Sequence, residues 1–299
     1  MTGIFAKNGV SLDRLQTLAE VVQTGSYSNA AKGDSNRATL ISRQMGDLEE
    51  SLGIALFDKS KKPYLPTAAA LRLAASCERF VREVEEVTAN ASGQRLPISV
   101  GAGEVVIREL LGPWIGMQRK NIAPQPWVMR NLKWRKIQES LASELLDVGI
   151  ADGLESNGNV VVVELESYSY KLVLPVGLKP NKSGWKMLEE IPVVLLEGAG
   201  RFRRFLTDCE REHGFTLKVG AECTTYPQAV DLAEATGCAV FIPEYWWKRD
   251  KRFKEWQLRT QALPGLDKLR RTLKLGWNRK IVERRPEVER LVKALKAKK

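Results

Sequence analysis

Residues 36–53 read NRATLISRQMGDLEESLG. Leu40, Ile41, Met45, Leu48 and Leu52 recur at helical spacing, and Arg37, Thr39, Ser42, Arg43 and Gln44 sit between them with hydrogen-bonding or cationic ends. The spacing predicts a helix over 37–51 that ends near Gly53, with those five apolar residues in a core. Such a helix is either ordinary amphipathic packing or one whose wet face reads a partner. Its neighbours decide between these.

Upstream, Leu12, Leu15, Leu18, Val21 and Val22 lie on one helical face, which predicts a helix over 11–23. Asp13 suits its first turn and Gly25 its stop. Ser26 or Ser28 then caps a short helix carrying Ala30 and Ala31, and Gly33-Asp34-Ser35-Asn36 reads as a turn. Two short helices, a tight turn and a longer helix form a helix-turn-helix pattern. Downstream, Ala55-Leu56-Phe57 suits a short strand, Lys59, Lys61 and Lys62 a basic loop, and Pro63 to Pro66 extended chain. Together these outline a wing.

The bulk composition bounds the rest. The chain has 299 residues, 43% hydrophobic and 28% charged, enough for two or three compact units of an ordinary soluble protein. No apolar run approaches the ~18 residues of a membrane span, so no membrane partner is expected. The opening MTGIFAKNGV lacks the pattern of a secretory signal, and Cys77, Cys209, Cys223 and Cys238 lack CxxC spacing. A cytoplasmic protein with reduced thiols is expected. His213 is the one histidine, which argues against zinc. No cofactor, metal or catalytic constellation is expected, and hence no enzyme.

A net charge of +11 invites an inference of nucleic-acid binding, but its distribution restrains it. Residues 1–90 hold 11 Lys+Arg against 11 Asp+Glu, residues 91–247 hold 17 against 19, and residues 248–299 hold 19 against 6. The excess is C-terminal, far in sequence from the helix-turn-helix. The basic segment reads as a solvated surface or as a second contact with DNA or an acidic partner.

At this point the sequence resembles the LysR-type transcriptional regulators. TLAEVVQTGSYSNAAKG, SRQMGDLEESLGIALFDKS and LPTAAALRL look like their N-terminal domain, with landmarks at Gly25-Ser26, Ala30-Ala31, Ser42-Arg43-Gln44, Leu48-Glu49, Leu52-Gly53 and Leu56-Phe57. The family usually has apolar residues where Asp34 and Asn36 stand, and serine, glutamine and proline where Arg37, Ala38 and Thr39 stand. The resemblance implies double-stranded DNA as partner, with RNA polymerase as a further one. Arg37 and Thr39 are expected at base edges, Ser42 and Arg43 at phosphate or an adjacent base, and Lys59, Lys61 and Lys62 at phosphates, with Ser26 beside them. The plain alternative for Arg43 is an ion pair with Asp47 at i+4.

Residues 67–90 lack Gly and Pro, and Leu73, Cys77, Phe80, Val84 and Val87 follow a four-three spacing. That is a coiled-coil seam of about two heptads, with packing on its own domain as the alternative. It also resembles the family's dimerising linker helix. A homodimer, or a homotetramer of two such dimers, is expected.

From residue 97 strands alternate with helices: LPISVGAG, PWVMRNL, DVGIADG, YKLVLPVG, IPVVLLEG and CAVFIPEY are strand candidates, and EVVIRELLGPWIGMQRK is a helix interrupted or ended near Gly112-Pro113. An α/β fold with open sheets follows. The stretches ISVGAGEVVIRELLGPWI, SLASELLDVGIADG and CTTYPQAVDLAEATGCAVFIPEYW, with LKLGWNRK near the end, resemble the family's effector domain of periplasmic-binding-protein fold, two lobes around a cleft. The resemblance points to Gly103, Glu104, Lys133, Trp134, Gly198, Arg201, Thr224 and Thr225 as cleft residues for a small-molecule effector. Cys209 and Cys223, the tempting redox pair, read better as ordinary thiols. EYWWKRDKRFKEW mixes aromatic and cationic residues, as a lobe surface or an oligomer contact does, or a single-strand binder.

The expected organisation is therefore a winged helix-turn-helix over 1–66, a dimerising linker helix over 67–91 and a two-lobed regulatory domain over 92–299. Two other functions remain open: a ligand-independent basic architectural DNA binder, and a solute-binding protein sharing the C-terminal fold.

Overall fold

Side-chain caps lay out the N-terminal unit. The computed structural model describes residues 9–118, 125–174, 180–249 and 263–297, with residues 3 and 253. Ser11 Oγ accepts the Arg14 N–H and starts α1 (Leu12–Thr24), which Gly25 closes at φ 80°. Ser26 Oγ accepts the Asn29 N–H and starts α2 (Tyr27–Ala30). Asp34 accepts the Asn36 and Arg37 N–H groups and starts α3 (Ser35–Leu52), which Gly53 closes at φ 68°. Each such cap stabilises by about 1 kcal/mol. The third cap also shifts a boundary: Ser35 and Asn36 are helical, and the turn is shorter than its composition suggested.

Leu18, Val21, Ala30, Ala31, Ile41, Met45, Leu48, Leu56 and Phe57 form the core of this unit. Leu40 does not join it; the side chain is 55% exposed, against the core position expected from its spacing. The stripe of five was one residue too wide, because Ile41 takes the inward position and Leu40 stands about 100° round the helix from it. A two-stranded wing pairs β1 (Phe57–Asp58) with β2 (Leu65–Pro66), antiparallel.

Helix α4 (Ala68–Ser92) runs 25 residues from Thr67, whose hydroxyl accepts the Ala70 N–H. The expected seam divides along it. Cys77 is buried within its own chain and Leu73 packs on the core of its own unit, a correction to their reading as partner contacts. Phe80, Val84 and Val87 are 46%, 48% and 71% exposed. The first half of the helix is occupied by α1, and only the second half leaves its apolar strip open.

The second unit begins at Pro97. One sheet runs β4-β3-β5-β11-β6, from β4 (Trp127–Asn131), β3 (Ile98–Ala102), β5 (Val148–Ala151), β11 (Arg271–Asn278) and β6 (Val160–Tyr168). Strands β3, β4 and β5 are parallel, and β11 is antiparallel to both its neighbours. The other sheet runs β7-β10-β8-β9, from β7 (Tyr170–Val173), β10 (Ala239–Pro243), β8 (Val193–Leu196) and β9 (Val219–Cys223). The chain passes from one sheet to the other between Tyr168 and Tyr170, and back ahead of Arg271.

Helix α5 (Glu104–Val106) continues through a π turn (Ile107–Leu111) into α6 (Gly112–Gln118). The Gly112 N–H reaches back five residues to the Ile107 carbonyl, so the helix does not end at Gly112-Pro113. Pro113 lacks an N–H and crowds the preceding turn, and the widened turn relieves that. Helix α7 (Trp134–Ala142) lies tight on β5; a Cβ at Gly149 would stand 2.3 Å from Ile137 Cγ2. In the second lobe α8 (Arg201–His213), α9 (Tyr226–Thr236) and α10 (Glu244–Arg249) flank the sheet.

The C-terminal basic segment is not a separate tail. Its described part supplies β11, α11 (Arg279–Arg284) and α12 (Pro286–Lys296). Arg285 is buried, with Nη1 3.0 Å from Asp147 Oδ1, while Asp147 Oδ2 accepts the Ser99 N–H at 2.7 Å. Of its described cations, Arg285 is buried and Arg271 and Lys274 are half-buried; the others with described burial face solvent. The stretch 244–256 lies partly outside the described residues.

Candidate nucleic-acid interface and regulatory cleft

The inward positions of α3 fix what the helix holds out. With Ala38, Ile41, Met45, Leu48 and Leu52 turned to the core, Asn36, Thr39, Leu40 and Arg43 follow one another at i, i+3, i+4 and i+7 on the opposite face, and all four are exposed. Arg43 holds no ion pair among the described residues. Its alternative partner, Asp47, is bound to Arg14 of α1 at 3.0 Å. Ser42 is exposed at the edge of this face. The Thr39 hydroxyl donates to the Ser35 carbonyl at 2.9 Å, which leaves its methyl group as the free part.

Arg37 sits differently from expectation. Its guanidinium lies 3.4 Å from Glu20 of α1, on the flank where α3 meets α1. Reading a base would require it to leave that carboxylate. Lys59 is also engaged, with Nζ 2.7 Å from Glu49 Oε2. Glu49 Oε1 accepts the N–H groups of Leu56 and Phe57 at 2.8 and 3.1 Å. Burial alone would raise the Glu49 carboxyl, but the bonds from Lys59, Leu56 and Phe57 outweigh it and hold the pKa below the usual range. Glu49 thus ties α3 to the first wing strand. Lys61 and Lys62 are exposed and hold no ion pair among the described residues, whereas Ser26 is spent on its cap.

In the second unit the expected cleft residues divide in the same way. Gly103 precedes α5, and Glu104 lies in its first turn. Lys133 and Glu197, on loops after β4 and β8, approach to 3.6 Å across the two lobes, both largely exposed. The Trp134 ring lies flat on the backbone of Gly153, where a Cβ would come within 2.5 Å of it. Gly198 takes φ 95° in the loop before α8, and Arg201 opens that helix exposed. Thr224 and Thr225 are less available than expected. Thr225 Oγ1 caps α9, and the Thr224 hydroxyl donates to Gln228 Oε1 at 2.8 Å. The Tyr226 side chain, one residue on, is the group that enters the junction.

That junction was not legible in the sequence. Asp152, Tyr168 and Arg271 from the first lobe meet Tyr170, Tyr226 and Tyr245 from the second. Arg271 is ion-paired with Asp152, and the Tyr168 hydroxyl donates to the same carboxylate at 3.3 Å. The Tyr168 ring stands edge-on to Tyr245 at 5.0 Å and to Tyr170 at 5.7 Å. Burial pushes the Tyr168 and Tyr226 phenols well above their ordinary value, with nearby tyrosines adding to it, so both stay neutral. The available signals were weak: Asp152 ends the DVGIADG strand and Tyr226 follows the two threonines, but Tyr168 and Arg271 come together only through strand register.

Cys209 and Cys223 sit in surroundings that disfavour the thiolate. Burial, with Glu212 and Asp208 nearby, raises the Cys209 thiol to about 11, and burial also raises Cys223. The described residues contain no group of three or more His, Cys, Asp or Glu placed to hold a metal ion, and no described helix is long and apolar enough to cross a membrane.

A winged helix-turn-helix joined by a long helix to a two-lobed α/β unit is the architecture of a bacterial regulatory protein. The model of the lysR-family bacterial regulatory helix-turn-helix protein matches residues 12–71, and that of the LysR substrate binding domain matches residues 91–299. The chain belongs to the LysR family of transcriptional regulators. It is 30% identical to a "Probable RuBisCO transcriptional regulator" of Gracilaria tenuistipitata var. liui over 55% of this chain and 56% of that one. To a "Probable nitrogen assimilation transcriptional activator" of Synechococcus elongatus it is 26% identical, over 69% and 70%. The chain thus spans little more than half of the first relative. Among solved structures, the LysR family regulator CbnR superposes with a TM-score of 0.66 at 17% identity, covering 97% of this chain and 99% of that one. Full-length CbnR in complex with its target DNA gives 0.60 at 17%, covering 94% and 99%.

Proposed function

We propose that two copies of this chain pair through α4 and read duplex DNA with α3, under control of a small molecule held between the two lobes. The observation that carries the DNA reading is Arg43: exposed, on the outward face of α3, and without an acidic partner among the described residues, because Arg14 takes Asp47. Arg43 reads a guanine edge or anchors a phosphate, and Thr39 and Ser42 contact DNA beside it. Lys61 and Lys62 neutralise phosphates from the wing. Arg37 and Lys59 act mainly inside the protein, holding α3 to α1 and to the wing. The open strip of Phe80, Val84 and Val87 is the surface for the second copy, which spaces two reading helices for two half-sites. Pairs of such dimers and a contact with RNA polymerase complete the regulator.

The effector reading rests on the junction of Asp152, Arg271 and the tyrosines. Neutral phenols offer hydrogen bonds and aromatic faces, and the Arg271–Asp152 pair can exchange its internal partner for a polar group on a ligand. A ligand that favours one arrangement of the lobes changes the geometry that the dimer presents to DNA.

The test is selection of binding sites from random duplexes by the full chain, followed by titration of the selected site with the wild type and Arg43→Ala. A loss of roughly 5- to 150-fold is expected, corresponding to the ~1–3 kcal/mol of one bidentate contact. Equal affinity of the two proteins would refute the assignment of α3. A thermal-shift screen of small acids and amines tests the cleft in parallel.

A further inference from the structure

Leu40 is the large apolar side chain that α3 leaves in water, 55% exposed and flanked on the same face by Asn36, Thr39 and Arg43. Nothing among the described residues of the unit requires it there. The inward stripe is complete without it, and it is not among the residues packed against that core. The polar groups beside it are of the kinds that read base edges: an amide for adenine, a guanidinium for guanine. An apolar group among them matches the one apolar feature of the major groove, the C5-methyl group of thymine.

We infer that Leu40 is a specificity-determining residue that packs on a thymine methyl group in the major groove, between the bases addressed by Asn36 and Arg43. This rests on α3 being the reading helix. Leu40 lies one turn from both Asn36 and Arg43, so a single base step separates its contact from theirs. The methyl group and the leucine side chain leave water together only at thymine; cytosine presents a bare C5–H and an amino donor there. Thr39, the other carrier of a methyl group on this face, lies beside it and is the residue from which the effect must be separated.

The test replaces each thymine of the selected site, one at a time, with deoxyuridine, which differs only in lacking the methyl group. Affinities are measured by fluorescence anisotropy at fixed salt for the full chain, Leu40→Ala, Leu40→Ser, Thr39→Ser and Arg43→Ala. One replacement per half-site is expected to weaken the wild type about 4-fold, the factor for one buried methyl group. Both Leu40 variants are expected to bind thymine and uracil sites alike, and Thr39→Ser to keep the full difference. The inference is overturned if no replacement weakens the wild type, or if the weakening survives in Leu40→Ala. Arg43→Ala separates this failure from that of the reading helix itself: if Arg43→Ala binds as the wild type does, α3 is not the reader, and if it loses affinity while uracil is tolerated, only the role of Leu40 falls.

Discussion

Removing the Glu49 carboxylate should loosen the wing without touching a DNA contact. The side chain is 12% exposed, and its two oxygens do separate work. Oε1 accepts two backbone N–H groups, of Leu56 and Phe57, and Oε2 accepts Lys59 Nζ. Glu49→Ala strands both N–H groups, each bond to a charged acceptor contributing about 1.5–3 kcal/mol, so local opening of 54–58 should become easier by about 3–5 kcal/mol. Glu49→Gln can place its amide oxygen where Oε1 lies and keep both N–H bonds, at a cost of about 1–2 kcal/mol. Lys59→Ala should cost under about 1 kcal/mol, because the ammonium is mostly in water. Hydrogen exchange of the full chain reads this directly as opening of the Leu56 and Phe57 amides, about 100-fold or more faster in Glu49→Ala. The pH dependence follows in sign. A carboxyl whose pKa is lowered on folding contributes stability above its unfolded value, near 4.3, and loses it as pH falls through the lower folded value. Protection of these amides should therefore persist to about pH 4 and fall below it, while Glu49→Gln shows no such step. If Glu49→Ala exchanges like the wild type, or Glu49→Gln is as damaging as alanine, the two-oxygen account is wrong.

Two further outcomes test the remaining parts. Val84→Glu places a carboxylate from each copy in the strip of α4, and sedimentation should show self-association weakened at least about 30-fold, with no change in helix content. Arg285→Met removes the guanidinium 3.0 Å from the buried Asp147 carboxylate and should lower stability to urea by about 3–5 kcal/mol, a loss partly recovered in Asp147→Asn/Arg285→Met.

The order of elements in the N-terminal unit was legible because it is written locally. Ser26 and Gly25 set boundaries through their own hydrogen bonds and φ angle, and Ile41, Met45 and Leu48 declare an inward face by period alone. The same local rules allowed most strands of the α/β unit to be placed, but β6 and β9 were not among the strand candidates. At the candidate site, residue type and approximate location were readable, and engagement was not. Arg37 and Arg43 look equivalent in the sequence, six residues apart on one helix. Only the packing of α1 against α3 gives Glu20 to the first and takes Asp47 from the second.

Caps, periods and turns act over a few residues, so the helix-turn-helix, the long helix and the α/β alternation are written locally in the chain. Tertiary structure alone decided that Leu40 faces water, that Lys59 serves Glu49, that the basic C-terminal segment closes a sheet, and that Asp152 and Arg271 meet. Those outcomes depend on how separate elements pack, from Glu49 and Lys59, ten residues apart, to Asp152 and Arg271 on different strands. Burial and ion pairing are properties of such contacts, and no local pattern encodes which partner is within reach.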